Sequence, residues 1–345
     1  MEVPQHWVRV EGFSPHLGRR GGTIAVWGWS AESDADAEEV GRSRLAETLA
    51  RIEREGRLPP GHGYYPRTPL REPVLDEVRS PAGDLLGVVT RNRMGCEVLC
   101  TDRLLIADID VPELLEDVRP ARRRGRAGGG VTAFLRRLVL GREDPTPMTP
   151  SGEDASGLDH PAAAPDQPGG YTAYPADPGE GARVTATGPR GPSVADCLAA
   201  EPAWEFARAH PGLGVRVYRT AAGLRVLVTG AGLSPSSPQA RRLLTELRSD
   251  PLYVELCATH DSYRARLTPK PFRVGVDSLA VRWPCSGPEE ERRFLRWVDG
   301  YESVAGDYAV CRLVSASGPV PDAHEQALVE LHDSSTGVGE RLPLA

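Results

Sequence analysis

Several familiar chemistries are missing from this sequence. It contains no G-x-S-x-G nucleophile elbow, Walker A loop, H-E-x-x-H pair or Rossmann glycine fingerprint. That removes the hydrolases, P-loop proteins, zinc proteases and dinucleotide enzymes which those motifs define. The six cysteines, Cys96, Cys100, Cys197, Cys257, Cys285 and Cys311, form no C-x-x-C pair and have no histidine at zinc-type spacing. Reduced core thiols are therefore expected. Cys96 and Cys100 lie four apart in an extended-looking stretch, so they share one face of a strand and read as buried. Nowhere do 18 apolar residues run together, and MEVPQHWVRVEG has no basic stretch leading into an apolar one. A soluble, cytoplasmic protein with no membrane partner is the expectation. Lysine is scarce where arginine is abundant, and the net charge of -7 speaks against nucleic-acid binding by the whole surface while permitting a local basic groove. No repeat of fixed period occurs.

What is present is an ordinary globular composition, 40% hydrophobic and 26% charged, long enough for two domains or one elaborated domain. Residues 6–12 and 22–30 alternate as strands and predict a β-hairpin. Val40, Leu45, Leu49 and Ile52 recur at helical spacing behind Ser33 and Asp34, either of which can cap a helix reaching about Arg54. Residues 58–70 read as a Pro/Gly/Tyr loop, 73–80 as a short helical turn, and 83–112 as three strands. From 113 to 192 the periodicity collapses into Pro, Gly and Ala, apart from a helical island at 131–141. This stretch is expected to be a disordered insert or linker. Its cluster Arg122, Arg123, Arg124 and Arg126 is a solvated charge run or a set of phosphate contacts.

Order returns with a helix from Ser193 to about Pro211 and strands at 214–220 and 224–230. Between these strands Ala221, Ala222 and Gly223 predict a tight turn in which glycine supplies a positive φ. A helix over 237–250 and a last helix over 288–304 follow, and the tail after Val320 reads as frayed. The organisation expected is thus 1–112, an insert at 113–192, a second segment at 193–320 and a tail at 321–345. The two ordered segments are expected to share one largely antiparallel central sheet flanked by helices, an α+β fold, because the strand ending at Asp110 needs cover that neither segment supplies alone.

Three features carry chemistry. In LLIADIDVP, Asp108 and Asp110 are two apart on a strand and point to one face. Two such carboxylates repel unless a cation lies between them, and oxygen ligands suit Mg²⁺ or Mn²⁺ in phosphoryl transfer. Equally, they are two acids facing water at a strand end. In VRVYRTAAGLRVLVT, Arg219, Thr220 and Arg225 flank a small-residue turn that a polyphosphate can approach, or occupy plain strand positions. In HDSYRARLTPKPFR, Arg264, Arg266, Lys270 and Arg273 interleave with Tyr263 and Phe272, as suits a nucleotide or a single strand. The bland alternative there is an edge strand broken by proline.

In their order these blocks resemble the motifs of the archaeo-eukaryotic primase superfamily, including the primase-polymerases. The resemblance implies an RRM-like, primase-like sheet and a metal held by Asp108, Asp110 and a later Asp, Asp261 or Asp277. It also implies a residue contacting the incoming triphosphate at the position of Arg225, where that family carries histidine. The whole chain also resembles a bacterial protein family that shares TRNRMGCEVL, ADIDVP, VYRTAAGLR, DPLYVELC and RARLTPKPFR, a resemblance that implies no particular activity. Three functions follow as expectations. The first is a metal-dependent nucleotide-handling protein, such as a degenerate nucleotidyltransferase, with Asp108 and Asp110 catalytic and Arg219, Thr220, Arg225, Arg264, Arg266 and Lys270 on the nucleotide. The second is an inactive nucleotide- or single-strand-binding module, and the third a protein-interaction or small-molecule-binding α/β protein.

Overall fold

The structure is a computed structural model that describes residues 3–17, 20–55, 69–111, 114 and 192–345. The expected insert at 113–192, with its helical island and arginine cluster, lies outside the described residues apart from Leu114 and Pro192, as does most of the loop at 58–70. The fold is α+β and its sheets are antiparallel. Among the described residues no helix is long and apolar enough to cross a membrane.

The chain divides into two compact units, one of which spans the described residues from His6 to Glu55. There β1 (His6–Ser14) pairs with β2 (Gly22–Ser30), and α1 (Asp34–Glu55) covers the hairpin. Ser33 starts the helix: its Oγ accepts the Asp36 N–H at 3.1 Å and donates to the Asp36 carboxylate at 2.6 Å. Ile24, Val26, Leu45 and Ile52 form a small core of their own. Gly28 allows the close approach, since a Cβ there would lie 1.9 Å from the Ala37 carbonyl oxygen.

The other unit holds β3 (Val74–Arg79), β4 (Leu85–Arg91), β5 (Glu97–Thr101), β6 (Leu105–Asp110), α2 (Val194–Ala209), β7 (Gly214–Thr220) and β8 (Gly223–Thr229). It continues through α3 (Pro238–Glu246), α4 (Pro251–His260), β9 (Tyr263–Arg266), α5 (Pro288–Ala305), β10 (Cys311–Ser317) and α6 (Ala323–Ser335). Its strands do not make the single central sheet expected. They make two four-stranded sheets, β10-β7-β8-β6 and β3-β4-β5-β9, each combining strands from before and after the insert. One sheet gains β6 beside β8 and the other gains β9 beside β5. Burial follows from this arrangement: every residue of β8 is buried, as a central strand covered on both faces requires.

Four local expectations change. Residues 74–79 form a strand, because β4 offers a pairing edge that outweighs the weak helical pattern. The tail after Val320 is not frayed: Asp322 caps α6 by accepting the His324 and Glu325 N–H groups, each at 2.8 Å, and Leu328, Val329 and His332 are buried. The helix at 288–305 is followed by both β10 and α6. Gly223, finally, does not take a positive φ. It is needed for contact, since a Cβ would lie 1.9 Å from the Ile109 carbonyl oxygen across the β6–β8 ladder.

Candidate functional site

The β7–β8 hairpin turns on Ala221 and Ala222, so Thr220 opposes Gly223, Arg219 opposes Leu224 and Tyr218 opposes Arg225. Across the next ladder Arg225 opposes Asp108, and Gly223 opposes Asp110. Cross-strand partners share a face, so Tyr218, Arg225 and Asp108 form one row, while Arg219 belongs to the opposite face. There Arg219 is 5% exposed and fully employed. It pairs with Asp196 of α2 at 2.9 Å and donates to the carbonyls of Leu114, at 2.6 Å, and Thr220. Thr220 is likewise buried at the end of β7, between Gly223 and Cys311.

Next to β6 runs β9, and Tyr253 of α4 ties the two together: its hydroxyl meets the Ile106 carbonyl at 2.9 Å and accepts the Arg264 N–H at 3.1 Å. Alternation along β9 does put Arg264 and Arg266 on the same side, yet they do different work. Arg264 meets Glu72 at 2.5 Å, and Glu72 also accepts the Thr90 hydroxyl at 2.6 Å. This buried pair belongs to the core, and the Glu72 carboxylate raises the guanidinium pKa against the opposing effect of burial. Arg266 instead reaches toward Asp108, its Nη2 standing 4.0 Å from Oδ2.

Beyond β9 the chain passes through Lys270 into a 3₁₀ turn, Pro271–Val274. From α5, Tyr301 donates to the Pro269 carbonyl at 2.6 Å and Trp297 to the Asp277 carbonyl at 2.8 Å, which fixes this segment from both ends. Lys270, the only lysine of the chain, is pushed down to about 8 by burial, with Arg266 and Arg273 adding repulsion and Asp108 and Asp110 opposing it. Burial, and then Arg266, lowers Arg273 in the same way. Asp110 moves upward: burial of its inner side comes first, then the charges of Asp108 and Asp250.

Asp250 is a member that the sequence reading missed. It caps α4, accepting the Leu252 N–H at 3.0 Å, and its own N–H donates to the Asp108 carbonyl at 2.8 Å. The signal was there, since an Asp directly before Pro251 is a common way to open a helix. Behind Arg225 stand Cys311 and His332, also missed. Arg225 Nη1 lies 3.6 Å from Cys311 Sγ and 3.3 Å from His332 Nε2. His332 Nδ1 meets Asp333 at 2.9 Å, and Asp333 pairs with Arg216 at 2.7 Å. Burial holds His332 down at about 4. The neutral ring therefore donates from Nδ1 to Asp333 and accepts from Arg225 at Nε2.

Asp261, expected as a third metal ligand, is elsewhere. It ends α4 in the left-handed region and accepts from Ser234 Oγ at 2.9 Å and the Ser236 N–H at 3.2 Å. With Asp102 and Arg103 it lines a cavity of about 430 Å³ near the start of β6, whereas Asp110 ends that strand. Asp277 has an exposed side chain. Among the described residues no group of three His, Cys, Asp or Glu side chains is placed to hold a metal ion. Near the Asp108–Asp110 pair, moreover, Arg225, Arg266, Lys270 and Arg273 set four positive charges against the three of Asp108, Asp110 and Asp250. A cluster already supplied with cations fits Mg²⁺ or Mn²⁺ poorly and an added anion well.

No family model, curated protein or solved structure matches this chain.

Proposed function

We propose that the cluster at the end of β6 binds a phosphate-bearing ligand, a nucleotide, without requiring a divalent metal. The observation that supports this reading is the convergence of Arg225, Arg266, Lys270 and Arg273 on one strand end beside Asp108 and Asp110. Arginine forks and an ammonium group are the side chains that phosphate oxygens select. Phe272, 58% exposed and next to Arg273, offers a stacking surface for a base. Tyr263, the other aromatic of this segment, is buried and donates to the Leu233 carbonyl at 3.0 Å. A single open ring suits one base better than a strand.

In such a site Lys270 and Arg266 neutralise the phosphate, Arg273 steadies its approach, and the acids set orientation by repulsion. The order of the motifs agrees with the primase-like resemblance, whose triphosphate-contacting position is here Arg225. A metal-dependent nucleotidyltransferase is the second reading, favoured by the placing of Asp108 and Asp110 on one strand face, where the charge of Asp108 adds to burial in raising Asp110 and a cation would relieve that repulsion. Calorimetric titration of a nucleoside triphosphate in chelator, and again with Mn²⁺, separates the two. Binding in chelator supports the metal-free reading. Binding that appears only with Mn²⁺ supports the second.

A further inference from the structure

Arg225 is a buried cation whose hydrogen bonding is one-sided. Its Nη1 donates to the Arg266 carbonyl at 2.8 Å and also faces Cys311 and His332. Its Nε, on a residue 2% exposed, has no hydrogen-bond partner. Nη2 stands 3.9 Å from Asp108 Oδ1, beyond hydrogen-bond range. Nε and Nη2 together form the guanidinium edge that offers two parallel N–H groups to one carboxylate or phosphate. The other oxygen of Asp108 is 4.0 Å from Arg266 Nη2. One carboxylate therefore stands between two guanidiniums and makes a hydrogen bond through neither contact. A buried fork left unfilled is costly, and Asp108, about a quarter exposed, is the carboxylate that faces it.

The geometry points to Arg225 and Arg266 as a subsite for one phosphoryl group, with Asp108 as the carboxylate that fills it loosely in the absence of ligand and competes with the ligand for it. This rests on the phosphate-binding reading of the cluster and adds the position of one phosphate and an opposing role for one acid. Phosphate matches the fork with shorter, charge-assisted bonds to both arginines. As it enters, Asp108 turns outward toward solvent, leaving its backbone pairing with Arg225 intact.

The test is the affinity of inorganic pyrophosphate for the full chain in chelator, measured by calorimetry for the wild type, Asp108→Asn and Asp110→Asn. Removal of a unit charge about 4 Å from the anion is expected to tighten binding about tenfold or more in Asp108→Asn. Asp110→Asn removes the same charge without facing Arg225 and is expected to tighten it less. Unchanged or weaker binding by Asp108→Asn, or equal tightening by both, overturns the subsite while leaving the functional reading in place. Binding by Asp108→Asn where the wild type shows none upholds the subsite, with Asp108 then competing strongly enough to keep pyrophosphate out of the native cluster. Absence of binding by both removes the two together. Adding Arg225→Lys to Asp108→Asn should abolish the gain. If that buried replacement fails to melt cooperatively, Arg266→Gln serves in its place, and a gain surviving in the folded variant overturns the assignment.

Discussion

Individual residues in this protein are sorted by what their polar atoms already touch. Arg219, Arg225, Arg264 and Arg266 look alike in the sequence, yet Arg219 and Arg264 are committed to Asp196 and Glu72. Breaking a buried pair by removing one partner leaves an uncompensated charge, so Glu72→Ala should destabilise the protein by about 3–5 kcal/mol, measured by urea denaturation. The histidines make a second prediction. His260 and His332 are both held near 4 by burial, against an ordinary 6.5. Between these values the unfolded chain takes up protons that the folded one refuses, so their contribution is complete above pH 6.5 and is lost as pH falls toward 4. His332→Gln can still accept from Arg225 and does not titrate there. Denaturation midpoints followed from pH 7 to pH 4 should consequently fall less steeply in that variant. An unchanged slope would remove His332 from the account.

At the scale of elements, the amphipathic helices and alternating strands were legible, and the errors have physical causes. The segment 74–79 shows little apolar character because one of its faces is exposed, so only its partner β4 identifies it as a strand. The tail was misread because α6 mixes Leu328 and Val329 with buried polar residues, Glu325 and His332. Leu328→Ala should therefore cost about 2–5 kcal/mol, read as a lowered denaturation midpoint, whereas a frayed tail would tolerate it. The separation of Arg219 from Arg225 turns on one residue of turn length. The expected three-residue turn sets them opposite each other on one face, whereas the two-residue turn Ala221–Ala222 puts positions 219 and 225 on opposite faces. Asp108 and Asp110 were correctly given one face by their spacing alone.

For the molecule as a whole, the site depends on pairings between parts of the chain far apart in sequence. Asp108 comes from β6, Arg225 from β8, Asp250 from the start of α4 and Lys270 from beyond β9. No local pattern discloses such a convergence, which explains why Cys311 and His332 were invisible while each motif stood out separately, and why Asp250 was legible as a helix cap but not as a member of the site. Lys270 combines a tertiary effect with a local one, since burial lowers its pKa first and the nearby Arg266 and Arg273 lower it further. As the only lysine, it can be reductively methylated with ¹³C and followed by NMR apart from the N-terminal amine, without changing the sequence. The central claim is then tested by titrating that signal with pH, first alone and then with saturating pyrophosphate. The account predicts an amine pKa near 8 in the free protein, raised clearly when the anion arrives. A value near the ordinary 10.5 that pyrophosphate leaves unmoved would contradict it.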